Sequence, residues 1–470
     1  LSSRWFSPKI LIAVLIVLFF GISLIFRIAL PYEQVFDEDW IKFTSIDAYY
    51  QMRIVDNMVH NFPSVTEYDP YLIYPGGGGY GSIHFFNWFL AGIIWLIGLG
   101  HPSQHLIDIV GVYSPAILAA LTILPVYFIG KALFNRWAGL LAAGLMAVLP
   151  GEYLGRTFLG FADTPAIETL FTATALAFFI YAIKTASERQ LSLNHLLQTD
   201  WKTIRRPLIY SLLAGIFLGV YLITWQGGML FIVIIAAYLI IQFSINHIRG
   251  RSSDHLAFSS FFLFLVALII FIPVSNFRDL NLAMIIVTLM PIILSGISRA
   301  MDIKKLQTFY YPISIIVLGV LAIVVVYFVS PSTFSSAIFK FKSVFLPGGA
   351  TAATTMEMQP FLSPQGSFST QVAWGNYTTS FFLIRDAAIP GFGLIAFIIL
   401  IWLYIRDRGG DQHRLFFLLW TLLILVTTLI QRRFAYYLVV NIALLSAYLS
   451  YQAIWWAGLR KLVKVTAETG

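Results

Sequence analysis

Asp47, Asp163 and Glu357 are the residues whose types and settings best suit metal-assisted chemistry. Each lies in a polar stretch between apolar runs. Asp47 falls in Ser45-Ile46-Asp47-Ala48-Tyr49-Tyr50-Gln51-Met52-Arg53. Asp163 closes Arg156-Thr157-Phe158-Leu159-Gly160-Phe161-Ala162-Asp163 and is followed by Thr164-Pro165. Glu357 falls in Thr354-Thr355-Met356-Glu357-Met358-Gln359-Pro360-Phe361. Three carboxylates from separate loops on one membrane face could together hold a hard divalent cation, because such ions prefer oxygen ligands. A cation there would suit a phosphate-bearing lipid substrate.

Taken singly, each residue also has a plain reading. Asp47 could be a solvated loop acid. Asp163 and Thr164 precede Pro165 as at any helix start, and Glu357 sits in a polar loop. Arg433, in Gln431-Arg432-Arg433-Phe434-Ala435-Tyr436-Tyr437 at the outer end of a span, could snorkel to a headgroup. His84 could be an interfacial histidine. The run Gly76-Gly77-Gly78-Gly79 lacks the strand–helix context of a nucleotide loop. Only the combination is specific.

The elements that must position these residues are membrane helices. Hydrophobic residues make up 59% of the 470 and charged residues 11%, with mean hydropathy +0.82; soluble domains carry roughly 25% charged residues. The net charge of +8 comes from basic clusters between apolar runs, the pattern of cytoplasmic loops rather than of a nucleic-acid binder. With no cysteine, disulfides and thiolate chemistry are excluded. Apolar runs near 10–28, 109–130, 137–150, 166–183, 207–224 and 229–243 read as spans. So do those near 258–273, 282–298, 310–329, 388–405, 415–430 and 436–456. These predict about 12 spans in an all-α integral membrane protein, with residues 1–470 forming one transmembrane catalytic domain. A shorter candidate at 85–99 reads as a re-entrant or interfacial helix, because only then do most of the 30 basic residues share one side. Both chain ends are then cytoplasmic, and the outer loops run from about 30–108, 151–165 and 330–388, where most of the 22 acidic residues fall. Mid-span ionisable residues are scarce, which argues against a transporter.

In this order and placement the motifs resemble the catalytic subunit of the oligosaccharyltransferases of N-glycosylation, the family that includes AglB and PglB. The similarity is greatest to the archaeal, AglB-like branch. It rests on Asp47-Ala48-Tyr49-Tyr50 with Arg53, Asp69-Pro70 through Tyr74-Pro75, and His84. It continues through Leu159-Gly160-Phe161-Ala162-Asp163, Thr224-Trp225, Thr354-Thr355-Met356-Glu357 and Arg433-Phe434-Ala435-Tyr436-Tyr437. The resemblance implies a multi-span bundle of the GT-C type with long extracytoplasmic loops. It also implies an active site on the extracytoplasmic face of an archaeal plasma membrane, and Mn2+ or Mg2+ as cofactor. The expected partners are a lipid-linked oligosaccharide on a dolichol-type (pyro)phosphate, sequon-containing polypeptides and membrane lipid. By the same resemblance Asp47, Asp163 and Glu357 are the metal and catalytic acids, with Asp47 and Glu357 also meeting the acceptor amide. His84, Arg433 and Arg156 would meet the lipid phosphate. The glycan would pass to asparagine in Asn-x-Ser/Thr with inversion. Asn376-Tyr377-Thr378 is itself such a triplet, so Asn376 is a candidate acceptor.

Two departures from the family pattern stand out. Pro165 occupies the position, two residues after Asp163, where the family carries a further ligand; Glu168 is the nearest substitute. The family's soluble outer domain, with its Trp-Trp-Asp motif, has no counterpart here, since Trp455-Trp456-Ala457-Gly458 lacks the aspartate; an incomplete sequence is the expected reason. The alternatives are another GT-C transferase using lipid-linked sugars, and a catalytically weakened paralogue or assembly subunit.

Overall fold

In hydrocarbon a backbone has to satisfy its own polar groups, so apolar runs of about 20 residues fold as helices. The computed structural model describes residues 8–38, 40–65, 68–79, 85–275, 278–349, 354–361, 383–384, 389–408 and 410–457. Among these residues ten helices are long and apolar enough to cross a membrane, from Pro8–Ala29 to Arg432–Trp456. The runs at 137–150 and 388–405 form the shorter helices Arg136–Val148 and Phe392–Arg406. The run at 109–130 forms two abutting helices, Gln104–Leu121 and Ile123–Leu133. Pro125 cannot donate to the carbonyl of Leu121, which explains the break. Helix starts are capped by short polar side chains. Asn135 accepts from the N–H groups of Trp137 and Ala138, and Asp411 from those of His413 and Arg414.

The bundle is organised around its last helix, Ala435–Trp456. The span that includes it has 83% of its most apolar window buried, against 6% for Tyr310–Val329, whose Ile, Val and Leu side chains are mostly exposed. Ala435–Trp456 packs on Arg136–Val148, Phe392–Arg406 and Gln412–Ile430.

Outside the bundle core, the helix Ile46–His60 lays Ala48, Met52, Val55 and Met58 against Phe86, Leu90 and Ile94 of Phe85–Ile97. The buried Asn87 amide donates to Gln51 Oε1 at 2.7 Å, which fixes the register of the pair. Phe85–Ile97 has 13 residues, a length of about 20 Å, where the hydrocarbon core is about 30 Å thick. Its clearest structural role is to seat the helix that carries Asp47.

Close helix approach is set by glycine. Gly215 and Gly219, four apart on Trp201–Thr224, face Asp254–Phe271. A Cβ on Gly215 would lie 2.6 Å from the Leu263 carbonyl and 2.7 Å from Val266 Cβ; one on Gly219 would lie 2.9 Å from Ile270 Cβ. This is the small-residue contact by which membrane helices maximise packing. Gly215→Ala is therefore expected to lower the melting temperature in detergent, by overpacking worth about 1–3 kcal/mol. Gly296→Ala, with nothing within 4 Å of the added carbon, should not lower it.

Candidate active site

Asp47 stands in the first turn of Ile46–His60, where the exposed N–H groups of a helix favour negative charge. Ser45, in extended conformation, begins that helix by accepting from the Ala48 N–H at 3.1 Å. Asp163 arrives by a different route. At residues 159 and 160 the chain is fastened by backbone hydrogen bonds to Pro8–Ala29, to Gln104–Leu121 and to the first loop. The Leu159 N–H donates to the Arg27 carbonyl at 2.9 Å and the Gly160 N–H to the Val112 carbonyl at 2.9 Å. The Gly160 carbonyl accepts from the Thr44 N–H at 3.0 Å. Gly160 has φ +84, and a Cβ there would sit 3.0–3.2 Å from Val35, Thr44 and Lys42. Glycine is required on both counts.

The fastening brings Asp163 within electrostatic reach of Asp47, Glu168 and Arg156. Burial pushes the Asp163 carboxyl up to about 7, and the negative charges of Glu168 and Asp47 add to that; the Thr164 N–H and Arg156 act the other way. A carboxyl so crowded by its own kind is one that a cation would relieve.

Arg156 is the hub of the cationic side. Its Nη2 lies 2.7 Å from Glu357 Oε1 and its Nε 3.2 Å from Glu152 Oε2. The other oxygen of the buried Glu152 accepts from Arg432 Nε. Burial works against the Arg156 charge, but Glu357 and Glu152 outweigh it and hold the group's proton affinity above the ordinary arginine value. The Glu357 turn is tied down from the same side. The Arg432 N–H donates to the Gln359 carbonyl at 3.0 Å, and the Phe361 N–H to that of Leu429 at 3.2 Å. Asp47, Glu152, Arg156, Glu357 and Arg432 line one cavity of about 410 Å³.

One layer deeper, the buried Glu168 accepts from the hydroxyls of Tyr436, at 2.9 Å, and Tyr437. Tyr437 shares a further hydrogen bond with Tyr221 at 2.8 Å. The guanidinium of Arg433 lies 6.0 Å from the ring of Trp225 and 5.1 Å from that of Phe434, its buried Nε having no hydrogen-bond partner among the described residues.

The sequence candidates thus divide. Asp47, Arg156 and Glu357 share the cavity, and Asp163 stands beside it. Arg433 stands behind Glu357, within electrostatic reach of it and stacked on aromatic rings. His84 and Asn376 lie outside the described residues. Among the described residues no three of His, Cys, Asp and Glu gather as a metal site, and Glu357 is engaged by Arg156 rather than turned toward the other two acids. Glu168 does not take the position left by Pro165, because its carboxylate is committed to the tyrosines. Among the described residues Asp47 and Asp163 offer the oxygen donors that a hard cation prefers, and each raises the other's need for positive charge. Sequence reasoning missed Glu152 and Arg432. The available signal was the four-residue spacing of Glu152 and Arg156, which places them on one helical face.

Comparison with known proteins adds the following. The family described as "Oligosaccharyl transferase STT3, N-terminal" matches residues 10–356. The dolichyl-monophosphooligosaccharide–protein glycotransferase AglB of Haloferax volcanii is 28% identical over 90% of this chain and 46% of its own length. Dolichyl-phosphooligosaccharide-protein glycotransferase 3 of Archaeoglobus fulgidus is 26% identical over 95% of this chain and 50% of its own. The chain therefore spans about half the length of these relatives. The structure of the Archaeoglobus fulgidus oligosaccharyltransferase tethered with an acceptor peptide containing an NVT sequon has a TM-score of 0.79. It is 25% identical over 96% of this chain and 50% of its own. The archaeal AglB in complex with an inhibitory peptide and a dolichol-phosphate reaches 0.85 at 24% identity, a likeness of fold covering 98% of this chain and 52% of that one.

The raised proton affinity of Asp163 has a consequence for stability. The fold holds this proton more tightly than the unfolded chain does. Stability from it is complete below about pH 4 and is lost as pH rises through about 7. In chelator, the melting temperature is expected to fall across that interval, and Asp163→Asn should flatten the fall. An equal slope in both chains would show that Asp163 is not so perturbed.

Proposed function

The chain belongs to the oligosaccharyltransferase STT3 family, and we propose that it is the membrane-embedded catalytic part of an enzyme transferring a glycan from a dolichol-type lipid (pyro)phosphate to asparagine in Asn-x-Ser/Thr. The observation that carries this reading is the meeting of Asp47, Arg156 and Glu357 in one cavity beside Asp163. Those positions match the family's acidic and acceptor-binding motifs. Two of its relatives are named as dolichyl-phosphate-linked glycotransferases.

An asparagine amide nitrogen is a poor nucleophile, because its lone pair is delocalised into the carbonyl. Asp47 and Glu357 are suited to accept its two N–H bonds and favour a twisted amide with a freer lone pair. Nitrogen then attacks the anomeric carbon as the bond from that carbon to the phosphate oxygen breaks, with inversion. The nitrogen gives up one proton to a carboxylate that accepts its N–H, and the departing lipid phosphate keeps the electron pair of the broken bond. Arg156 and Arg432 line the cavity and are suited to meet growing phosphate charge, and His84 and Arg433 match family positions for the same group. Asp47 and Asp163 are the residues that would hold Mn2+ or Mg2+; when bound, such an ion neutralises developing phosphate charge. With Pro165 offering no ligand and Glu168 held by tyrosines, two side-chain carboxylates support weaker metal binding than a full set, which keeps a weakened paralogue in view. The positive-inside pattern supports an extracytoplasmic active site with both ends of this chain cytoplasmic, and the archaeal relatives support an archaeal plasma membrane.

The test is transfer from a lipid-linked glycan to a sequon peptide by the full protein in detergent. Asp47→Ala and Glu357→Ala should each lower the rate by about 10²–10³, the usual cost of losing one preorganised stabiliser. Chelation should abolish transfer and Mn2+ or Mg2+ restore it. Unchanged rates in both variants, or transfer in chelator, would refute the mechanism.

A further inference from the structure

Glu168 takes no part in the transfer reaction as set out above, yet three other side chains are arranged around it. It is the fourth residue of Pro165–Glu188, five positions after Asp163, and it is buried. Its partners are hydroxyls rather than cations. Tyr436 donates to its Oε2 at 2.9 Å, and Tyr437 donates to the same oxygen. Tyr437 has then given its only proton, so in its 2.8 Å contact with Tyr221 the Tyr221 hydroxyl is the donor. Leucine at 168 with phenylalanine at 436 and 437 would fill nearly the same space. Exchanges of whole buried polar sets for apolar ones are often close to neutral or stabilising. Stability alone therefore does not account for the carboxyl.

The arrangement joins two corners of the site. Tyr436 and Tyr437 stand in the first turn of Ala435–Trp456, directly after the turn Arg432–Phe434. Asp163 stands just before the helix that carries Glu168. Each tyrosine passes the constraint on through its ring. The Arg156 guanidinium lies 5.8 Å from the centre of the Tyr436 ring, within cation–π range. That ring is held at its oxygen by Glu168 and at its side by Tyr437, with ring centres 4.3 Å apart. The Tyr437 ring lies 6.3 Å from that of Trp225, over which Arg433 sits at 6.0 Å. One carboxyl thus sets the ring under Arg156 and the backing of the ring under Arg433.

We propose that Glu168 is a positioning residue for the transfer reaction proposed above, the reading on which this role rests. It touches no substrate. Through the hydroxyls of Tyr436 and Tyr437 it holds Arg156 and Arg433 in register with the Asp163 corner. Its contribution is therefore to the phosphate end of the reaction rather than to acceptor binding, and it acts by hydrogen bonding rather than by charge.

The test combines the transfer assay with binding of dolichyl phosphate to the full protein in detergent, read by native mass spectrometry. Glu168→Leu and Tyr436→Phe should each lower kcat by about tenfold to hundredfold, the effect of misplacing a stabilising group by about 1 Å. The peptide KM should stay unchanged. Both variants should weaken dolichyl phosphate by about tenfold, the loss of one well-aimed charge-assisted bond. Glu168→Gln keeps an oxygen that accepts both hydroxyls and should retain most of the rate and the affinity. Tyr311→Phe deletes a buried hydroxyl that donates to the Leu294 carbonyl, outside the cavity, and should leave both unchanged. Loss in Glu168→Gln with native values in Tyr436→Phe would show that Glu168 acts by charge, and overturns the proposal. So do native kcat and native lipid affinity in Glu168→Leu. Lipid binding that depends on Glu168 in a chain that transfers nothing removes the transfer reaction but leaves Glu168 as the residue that sets the arginines. A native chain that neither binds the lipid nor transfers removes both. If Glu168→Leu does not fold, Tyr436→Phe and Glu168→Gln decide.

Discussion

The backbone of Gly160 holds the site together. Its N–H is taken by the Val112 carbonyl and its own carbonyl by the Thr44 N–H, while its neighbour Leu159 donates to the Arg27 carbonyl. Two separate parts of the chain are thereby fastened to Gly160 and a third to its neighbour; Thr44 lies three positions before Asp47, and Gly160 three before Asp163. Loops on a membrane surface are otherwise free to drift, and two like charges left to themselves would drift apart. Backbone hydrogen bonds shielded by Val35 and Leu159, both fully buried, supply the restraint that the carboxylates cannot supply for each other. Arg27, buried and bonded to Thr157, Ser23 and the Ala147 carbonyl, anchors the same loop from below.

The second constraint is charge balance. Two arginines brought together at a half-buried cavity repel, and each loses hydration. Glu152 resolves this by bridging Arg156 and Arg432, one oxygen to each. A buried pair of this kind is held more by what its rupture would leave exposed than by its own net attraction. Its use here is geometric, since two forks of donors are aimed into the space Asp47 also lines. Glu357, on the third nitrogen of that arrangement, is the least buried partner. In the proposed reaction an acceptor amide would exchange with Arg156 for this carboxylate, freeing the arginine as phosphate charge grows.

How much of this was legible in the sequence follows from the range of the interactions. The helices were readable because each depends on its own run of apolar residues, and ten of them appear as bilayer-length elements. The shorter forms of 137–150 and 388–405 depend on packing and caps, which no hydropathy window sees. Asp47, Arg156 and Glu357 were found by motif and do share a cavity. Glu152 was passed over because a lone glutamate in an acidic loop looks solvated until Arg432, 280 positions away, is known to face it. The tyrosine pair 436–437 was quoted only as part of a motif. That its hydroxyls bind Glu168 could not be read from spacing, because the partners meet only after the last helix has entered the core.

Pro165 ties these threads together. As the first residue of its helix it gives up an N–H that would go unused there, so the helix can start directly behind Asp163. The cost is the loss of a ligating side chain at that position. One turn further in, Glu168 is drawn to the tyrosines, yet its charge still reaches Asp163 and helps hold that carboxyl near 7. A cation binding Asp47 and Asp163 would therefore compete with a proton on Asp163 around neutral pH, and its uptake would release that proton. In the proposed site cation affinity would then be coupled to pH through one carboxyl. The coupling would come first from the burial of Asp163, with the buried Glu168 one turn away adding to it.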